Sequence, residues 1–153
     1  MTACLLALPV FPSGAKARTS PAVLRAEKRI RACANRQRHL HGLPSVRASR
    51  ALHRAAHLDA RNMARHGFFA HEDPWGRSPG DRIALFSSLQ WSWGENIAAG
   101  QPSVRSACRA WMHSPGHRAN ILEPSFKRAG GGFARGGPYG TYFVMELGTP
   151  QPR

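Results

Sequence analysis

Two histidines and one glutamate are the residues whose chemistry points beyond packing. His71 lies in the loop-like stretch FFAHEDPWGRSPG, Glu95 in WGEN and His117 in WMHSPGHRANIL. Two imidazoles and one carboxylate are the usual ligand set of a zinc ion that keeps one open position. The same groups could form a general acid–base cluster. Because they are far apart in the sequence and no H-E-x-x-H pattern occurs, spacing alone favours histidines that hydrogen-bond within the fold.

The stretch SPGHRANIL predicts the start of a helix. Ser114 can serve as the N-cap and Pro115 suits the first turn, which places His117 at the third helical position. The helix dipole and free N–H groups disfavour a protonated imidazole there, so a neutral side chain suited to a metal or a hydrogen bond is expected. His113 lies four residues earlier, but a new helix begins between the two, so we do not expect them to share a face.

The other histidines are interpreted as surface residues. His53 and His57 are spaced i, i+4 on a predicted helix and could clamp a metal, but no third ligand is in view. His39, His41 and His66 lie near predicted helix ends, where cationic side chains suit the helix dipole.

Helices and a hairpin must position the candidate residues. Serine caps predict helices that begin at Ser20, Ser49, Ser78 and Ser103. Asp59 falls on the apolar stripe of the second helix and would need a hydrogen-bond partner if buried. The segment WSWGENIAAGQPS is predicted to be irregular, whereas RAGGGFAR and TYFVMELG flank the turn GGPYG and predict a hairpin. This order predicts an α+β domain with helices packed on a small antiparallel sheet.

Composition restricts the classes of partner. The chain has 153 residues and a formal net charge of +14, which would suit anionic partners, although an arginine-rich composition without a particular partner is the preferred interpretation. The charges are scattered along the sequence and are not grouped with stacking aromatic residues, so nucleic acid is not an expected ligand. No apolar run approaches the ~18 residues that a membrane-spanning helix needs.

The N-terminus resembles a processing segment. The apolar run LLALPVF and the cleavage-like AKA predict a shortened signal-peptide-like segment over residues 1–17, followed by a single exported domain over residues 18–153. Cys33 and Cys108 each fall on the apolar face of a predicted helix, and in an exported protein we expect them to pair. Two separate buried thiols are the alternative.

Several stretches together resemble the CAP superfamily of cysteine-rich secretory, antigen 5 and pathogenesis-related 1 proteins, also called SCP domains, in its bacterial secreted form. These stretches are NRQRHLHGLPSV, AAHLDARNMARHGFFAHEDPWG, GENIAAGQ, WMHSPGHRANIL and the closing YGTYFVMELG. The resemblance runs from about Val23 to Gly148 and implies an α-β-α sandwich.

The resemblance also implies a cleft. In it His71 matches the first family histidine, Glu95 the glutamate of the GEN motif, and His117 the second histidine. Ser114 stands at the position of the family's second glutamate, so a metal at His71 and His117 would lack one carboxylate. Family activities are mostly binding. The resemblance therefore implies a secreted, monomeric, non-catalytic module that binds a lipid, sterol, cell-wall or protein ligand. It implies no definite cofactor.

Two alternatives use the same residues. In a metal-dependent hydrolase, His71 and His117 would bind zinc or another divalent ion, and Glu95 would act as ligand or base. In a structural role, the three side chains would form a hydrogen-bonded network that holds two loops against the helix after Ser114.

Overall fold

The computed structural model describes residues 19–89 and 91–151, in which helices and strands alternate irregularly. The signal-peptide-like segment predicted at residues 1–17 lies outside the described residues. The elements are α1 Pro21–Leu40, β1 Arg47–Ala48, α2 Arg50–His66, α3 Pro79–Ala84, β2 Trp91–Ala99, α4 Val104–His113, α5 Pro115–Leu122, β3 Arg128–Gly136 and β4 Gly140–Pro150. Four of the helices begin at the predicted serine caps, whose side chains accept from the first turn.

The strands form one sheet in the order β1-β3-β4-β2. The predicted hairpin is confirmed as the antiparallel pair of β3 and β4, and β2 adds to the far side of β4, also antiparallel. The sheet was expected to be antiparallel; this expectation is wrong only for the short strand β1. β1 pairs in parallel with β3, because the chain between α1 and α2 runs along its edge and hydrogen-bonds to it.

The segment predicted to be irregular, WSWGENIAAGQPS, begins with a nine-residue strand, β2. Its glycine and polar residues gave a weak strand signal, but every residue from Trp91 to Ala99 has a partner on β4. Pairing with a long neighbouring strand therefore overrides the local preference.

Helices cover both faces of the sheet. α1, α4 and α5 pack on one face, and α2 and α3 pack on the other. The first layer contributes Ile30, Ala107, Trp111 and Ile121 to the core, and the second contributes Leu52, Ala56, Met63 and Ile83. The predicted α-β-α sandwich is confirmed. None of the helices in the described residues is long and apolar enough to cross a bilayer.

Glycines of β3 let α2 lie against the sheet backbone to backbone. A Cβ atom at Gly130 would come within 2.1 Å of the His53 backbone nitrogen, and one at Gly132 within 2.0 Å of the Ala56 carbonyl oxygen. Real Cβ atoms do not approach that closely, so a side chain at either position would push the helix away.

The predicted disulfide is confirmed. Cys33 of α1 and Cys108 of α4 are joined, with their Cα atoms 6.2 Å apart and a sequence separation of 75. In the chain-entropy account, closing a loop of this length stabilises the fold by roughly 4 kcal/mol. The bridge fixes the two helices that cover the same face of the sheet.

Gly132→Ala is expected to lower the free energy of unfolding by at least about 2 kcal/mol, because the added methyl group meets the backbone of α2. Gly116→Ala is the matched control, since a methyl group added there would have nothing within 4 Å and alanine is a better helix former than glycine. Urea unfolding of both variants measures the difference. Equal stability of the two would contradict backbone-to-backbone packing of α2 on β3.

Candidate functional site

The candidate site is built around β2, the strand at one open edge of the sheet. Successive side chains of a strand point to opposite faces. Glu95 reaches His71 in the loop before α3 and Arg82 within α3, whereas Asn96 reaches the first turn of α5 on the other face. Two adjacent residues on one edge strand therefore hold segments that lie on either side of the sheet.

His71 is oriented by Glu95. Its Nδ1 atom lies 2.7 Å from Glu95 Oε1. A carboxylate accepts, so Nδ1–H donates and Nε2 is left for other contacts. The glutamate side chain is fully buried, while that of His71 is 53 % exposed. The hydrogen bond to Glu95 raises the pKa of His71 above its ordinary value, against the opposing effect of burial.

Arg82 anchors both the carboxylate and the loop. Its Nη2 donates to Glu95 Oε2 at 2.7 Å and to the carbonyl of His71 at 2.9 Å, and its Nη1 donates to the carbonyl of Arg77 at 3.0 Å. Its Nε lies 3.4 Å from Asp59 Oδ1. Arg82 is completely buried. This one guanidinium therefore positions His71 through its backbone as well as through Glu95.

Three buried carboxyl groups share this guanidinium. Glu146 lies directly opposite Glu95 in the β2–β4 pairing and is fully buried. Burial and the charge of Glu95 raise the pKa of Glu146 well above its ordinary value. Burial, then Glu95, raise the pKa of Asp59 to about 8. Both raised pKa values favour the neutral forms of Glu146 and Asp59, so Glu95 is the carboxylate whose charge balances that of Arg82.

Glu95 keeps its charge because its partners outweigh burial. Burial alone would raise its pKa, but the hydrogen bond from His71, the neighbouring carboxyl group of Glu146 and the charge of Arg82 bring the pKa below the ordinary value. An ionised carboxylate thus lies behind His71, where it favours the imidazolium form.

His117 approaches the same edge from α5. Its ring centroid lies 6.5 Å from that of His71. Burial, and then the charge of His71, lower the pKa of His117 below its ordinary value. The sequence-based expectation of a neutral imidazole agrees with this direction, although the causes found are burial and His71. The pKa values of the two imidazoles, which lie at one edge of the sheet, are therefore shifted in opposite directions.

Two asparagines hold α5 against β2. Asn96 Nδ2 donates to the carbonyl of His117 at 2.9 Å. Asn120 Nδ2 donates to Asn96 Oδ1 at 2.9 Å and to the carbonyl of Glu95 at 3.2 Å. A Cβ atom at Gly94 would come within 2.7 Å of Asn120 Oδ1. In the Gly-Glu-Asn motif, Gly94 thus leaves room for Asn120. Glu95 orients His71, and Asn96 attaches α5 to the strand.

The structure brings His71, Glu95 and His117 together, as predicted; their role as a ligand site stays a prediction. Ser114 occupies the N-cap position of α5, but its side chain makes no capping hydrogen bond, contrary to expectation. Its membership of the cleft stays a prediction. His113 ends α4, where its ring bonds to the carbonyl of Arg109.

The tryptophans near these residues in the sequence have different environments. Trp111 is 1 % exposed and donates from Nε1 to the carbonyl of Ile97, so it belongs to the core. Trp75 and Trp93 are exposed, and the indole of Trp93 lies over Gly80 at the start of α3.

Two of the five histidines interpreted as surface residues are half-buried. His57 Nδ1 lies 2.6 Å from Oε1 of the buried Glu27, and His53 Nδ1 lies 3.0 Å from the carbonyl of Gly131. The interpretation was wrong for these two because Glu27 of α1 reaches α2 across the edge of the sheet. The remaining three, at positions 39, 41 and 66, are exposed.

Sequence reasoning missed most of the supporting residues. Asp59 was expected to need a hydrogen-bond partner if buried; among the described residues it has an ion pair with Arg82 at 3.4 Å, but neither of its carboxyl oxygens accepts a hydrogen bond. Glu146 carried a signal, since an acidic residue inside the apolar strand TYFVMELG is either buried or misplaced. Arg82, Asn96 and Asn120 gave no such signal, because their roles depend on contacts between distant segments.

The donors available to a metal are few. Both oxygens of Glu95 are engaged, by His71 and Arg82, so the glutamate is an orienting group and not a free ligand. Over residues 19–89 and 91–151, no three His, Cys, Asp or Glu side chains are arranged to hold a metal ion. A divalent ion here would have two imidazoles and water, one protein ligand fewer than a typical catalytic zinc site.

Comparison with known proteins identifies the class. Residues 31–147 match the CAP family, described as the cysteine-rich secretory protein family. The chain belongs to this family. It is 34 % identical over 111 residues to the uncharacterized protein YkwD of Bacillus subtilis (strain 168), a match that covers 72 % of this chain and 43 % of YkwD. The chain therefore spans less than half the length of that curated relative.

Two solved structures share the fold. An outer surface protein of Borrelia burgdorferi superposes with a TM-score of 0.73 at 20 % identity, covering 81 % of this chain and 92 % of that protein. An extracellular protein of Bacillus anthracis that contains an SCP domain gives 0.70 at 25 % identity, covering 86 % of this chain and 44 % of that one.

Asp59→Asn is expected to make the free energy of unfolding fall less steeply as the pH rises from about 5 to about 8. The folded state keeps a proton on Asp59 up to a pKa of about 8, whereas the unfolded state releases it near the ordinary value of 3.8. The contribution of Asp59 to the free energy of unfolding is therefore greatest at acid pH. It decreases as the pH rises, by up to about 1.4 kcal/mol per pH unit. Urea unfolding across this range measures the slope.

Asp81→Asn is the control for that experiment. Asp81 is exposed and caps α3, and the hydrogen bonds from Ser78 lower its pKa. Its stabilisation is therefore complete above the ordinary pKa of an aspartate, so the variant should lose similar stability at both ends of the range. If the free energy of unfolding changes with pH by the same amount in Asp59→Asn and in the unchanged protein, the protonated state assigned to Asp59 is contradicted.

Proposed function

We propose that this chain is an extracellular binding domain that holds a lipid, sterol or cell-envelope ligand at the cleft between His71 and His117. The observation that carries the proposal is the pair of imidazoles at 6.5 Å with opposing pKa shifts. His71, backed by Glu95, supplies a charged donor. His117, kept neutral, supplies an acceptor. Such a pair can form hydrogen bonds to a polar headgroup or a hydroxyl group from two sides.

The surroundings suit a ligand with an apolar part. Trp93 lies on the same strand and the same face as Glu95, and is 40 % exposed. Aromatic side chains beside a few oriented polar groups are the usual make-up of a small-molecule site. Trp111 does not contribute, because it is buried in the core.

An extracellular location is part of the proposal. The similar proteins of Borrelia and Bacillus anthracis are described as an outer surface protein and an extracellular protein. The Cys33–Cys108 disulfide suits an oxidising compartment. A monomer remains the prediction for the oligomeric state.

General acid–base hydrolysis is a second candidate function, favoured by the same opposing shifts. Two titratable groups whose surroundings separate their pKa values can act as acid and base at one pH. His71 would donate a proton to a leaving group and His117 would accept one from water. Breakdown of a bound ligand over time, measured by mass spectrometry, separates this function from binding alone.

His117→Ala is expected to weaken binding at least about ten-fold while the protein stays folded. The probes are phosphatidylglycerol vesicles, cholesterol and muropeptides from digested cell wall, measured by calorimetry or by microscale thermophoresis. His113→Ala is the matched control, because that histidine is exposed, lies four residues away and contacts the backbone of its own helix. Absence of binding to every probe, or an equal effect of the two variants, would contradict the proposed cleft.

A further inference from the structure

The charge of this protein is divided unevenly between interior and surface. Five of its eight acidic residues are buried, namely Glu27, Asp59, Asp73, Glu95 and Glu146. Only two of the lysines and arginines in the described residues are buried, Arg38 and Arg82. The solvent-facing surface is therefore more strongly basic than the net charge of the sequence indicates.

Four exposed arginines gather around one recess on the outer face of α2. The recess has a volume of about 580 Å³, and its guanidinium groups come from Arg54, Arg61 and Arg65 of α2 and from Arg135 of β3. We call this the basic recess. Within the described ranges none of these four forms an ion pair with a carboxylate. Arginines that are scattered in the sequence thus gather around this recess, as four others do around the groove between α1 and α4.

Aromatic rings support two of these side chains. The guanidinium of Arg54 lies 4.3 Å from the centroid of the Phe86 ring, and that of Arg135 lies 5.6 Å from the centroid of Phe133. Stacking restrains a guanidinium while its N–H groups stay free in the plane of the group. The recess is therefore partly organised before any ligand arrives.

The neighbouring polar groups do not cancel this charge. His53 and His57 line the same recess. Glu27 contacts both imidazoles, but it is 3 % exposed and its Oε1 accepts from His57. Asn62 and Thr19 also line the recess and are uncharged.

The arginines of α2 form a row. Arg54, Arg61 and Arg65 are spaced by seven and four residues, which keeps them on one stripe of the helix over about 16 Å. A row of guanidinium groups suits a ligand that carries several anionic groups in line, since guanidinium binds phosphate in a two-pronged geometry.

We propose that the basic recess binds a linear polymer of phosphate groups, either inorganic polyphosphate or a polyol-phosphate chain. Nucleic acid fits less well, because the Phe86 ring is covered by Arg54 and none of the exposed large hydrophobic side chains lines the recess. A flat anionic membrane also fits less well, because the charges surround a concave volume that has no protruding apolar residue. This site lies on the outer face of α2 and is separate from the His71–His117 cleft, so it does not depend on the proposed function.

The test is fluorescence anisotropy with labelled short-chain polyphosphate, using the full chain. Arg61→Gln/Arg65→Gln is expected to weaken binding at least about ten-fold and to reduce the dependence of log Kd on log salt by one to two, at about 0.7–0.9 for each lost phosphate contact. The matched control is Arg36→Gln/Arg105→Gln, which removes the same charge from the separate groove between α1 and α4. It should change Kd less than about two-fold.

Further arms identify the ligand class. Polyol-phosphate chains should bind with the same dependence on Arg61 and Arg65, whereas orthophosphate should bind far more weakly than either chain. His71→Ala/His117→Ala should leave polyphosphate binding unchanged. Equal losses from the two double arginine variants, no binding of any phosphate chain, or stronger binding of single-stranded DNA or phosphatidylglycerol vesicles would overturn the proposal.

Discussion

The buried ion pair between Arg82 and Glu95 is the interaction on which the site depends. Burying both charges is costly unless their geometry is good and their remaining hydrogen-bonding groups are satisfied. Arg82 meets this condition through its two terminal nitrogens, which bond to Glu95 and to the carbonyls of His71 and Arg77, whereas within the described part of the chain its Nε has only an ion-pair contact of 3.4 Å with Asp59 Oδ1. The raised pKa values of Glu146 and Asp59 favour their neutral forms, which limits the excess negative charge. The same pair therefore fixes the loop, the carboxylate and the protonation of His71.

The position of β2 explains how distant segments meet. At the edge of a sheet, a strand presents its two faces to layers that elsewhere are separated by the sheet. Glu95 and Asn96 are adjacent, yet one reaches the loop that carries His71 and the other reaches the helix that carries His117. The approach of His71 to His117 is thus a consequence of strand alternation at an open edge, with Gly94 leaving room for Asn120.

Local signals predicted much of the fold. Serine caps located the starts of four helices, and the apolar stripes on two of them predicted the Cys33–Cys108 pair. The resemblance to a known family predicted that His71, Glu95 and His117 converge, which their spacing did not. β2 was missed because its strand character comes from pairing with β4. The Arg82 network was missed because its members come from α2, α3, β2 and β4, and no local pattern joins them.

The division of charge links the two proposed sites. Most acidic residues lie in the interior, where Glu95 orients His71 and Glu27 binds His57, while most arginines are exposed and four of them surround the recess on α2. This division makes the surface more basic than the formal net charge of +14 indicates.

The most direct test of the account is an NMR pH titration of the imidazole resonances of His71 and His117 in the unmodified protein. Because Glu95 is held ionised behind His71, and because burial and the neighbouring charge act on His117, the account predicts that His71 titrates above the ordinary histidine pKa of about 6.5 and that His117 titrates below it. The Nδ1 proton of His71 should remain attached through the transition. A midpoint for His71 at or below that of His117 would contradict the central role of the Arg82–Glu95 pair.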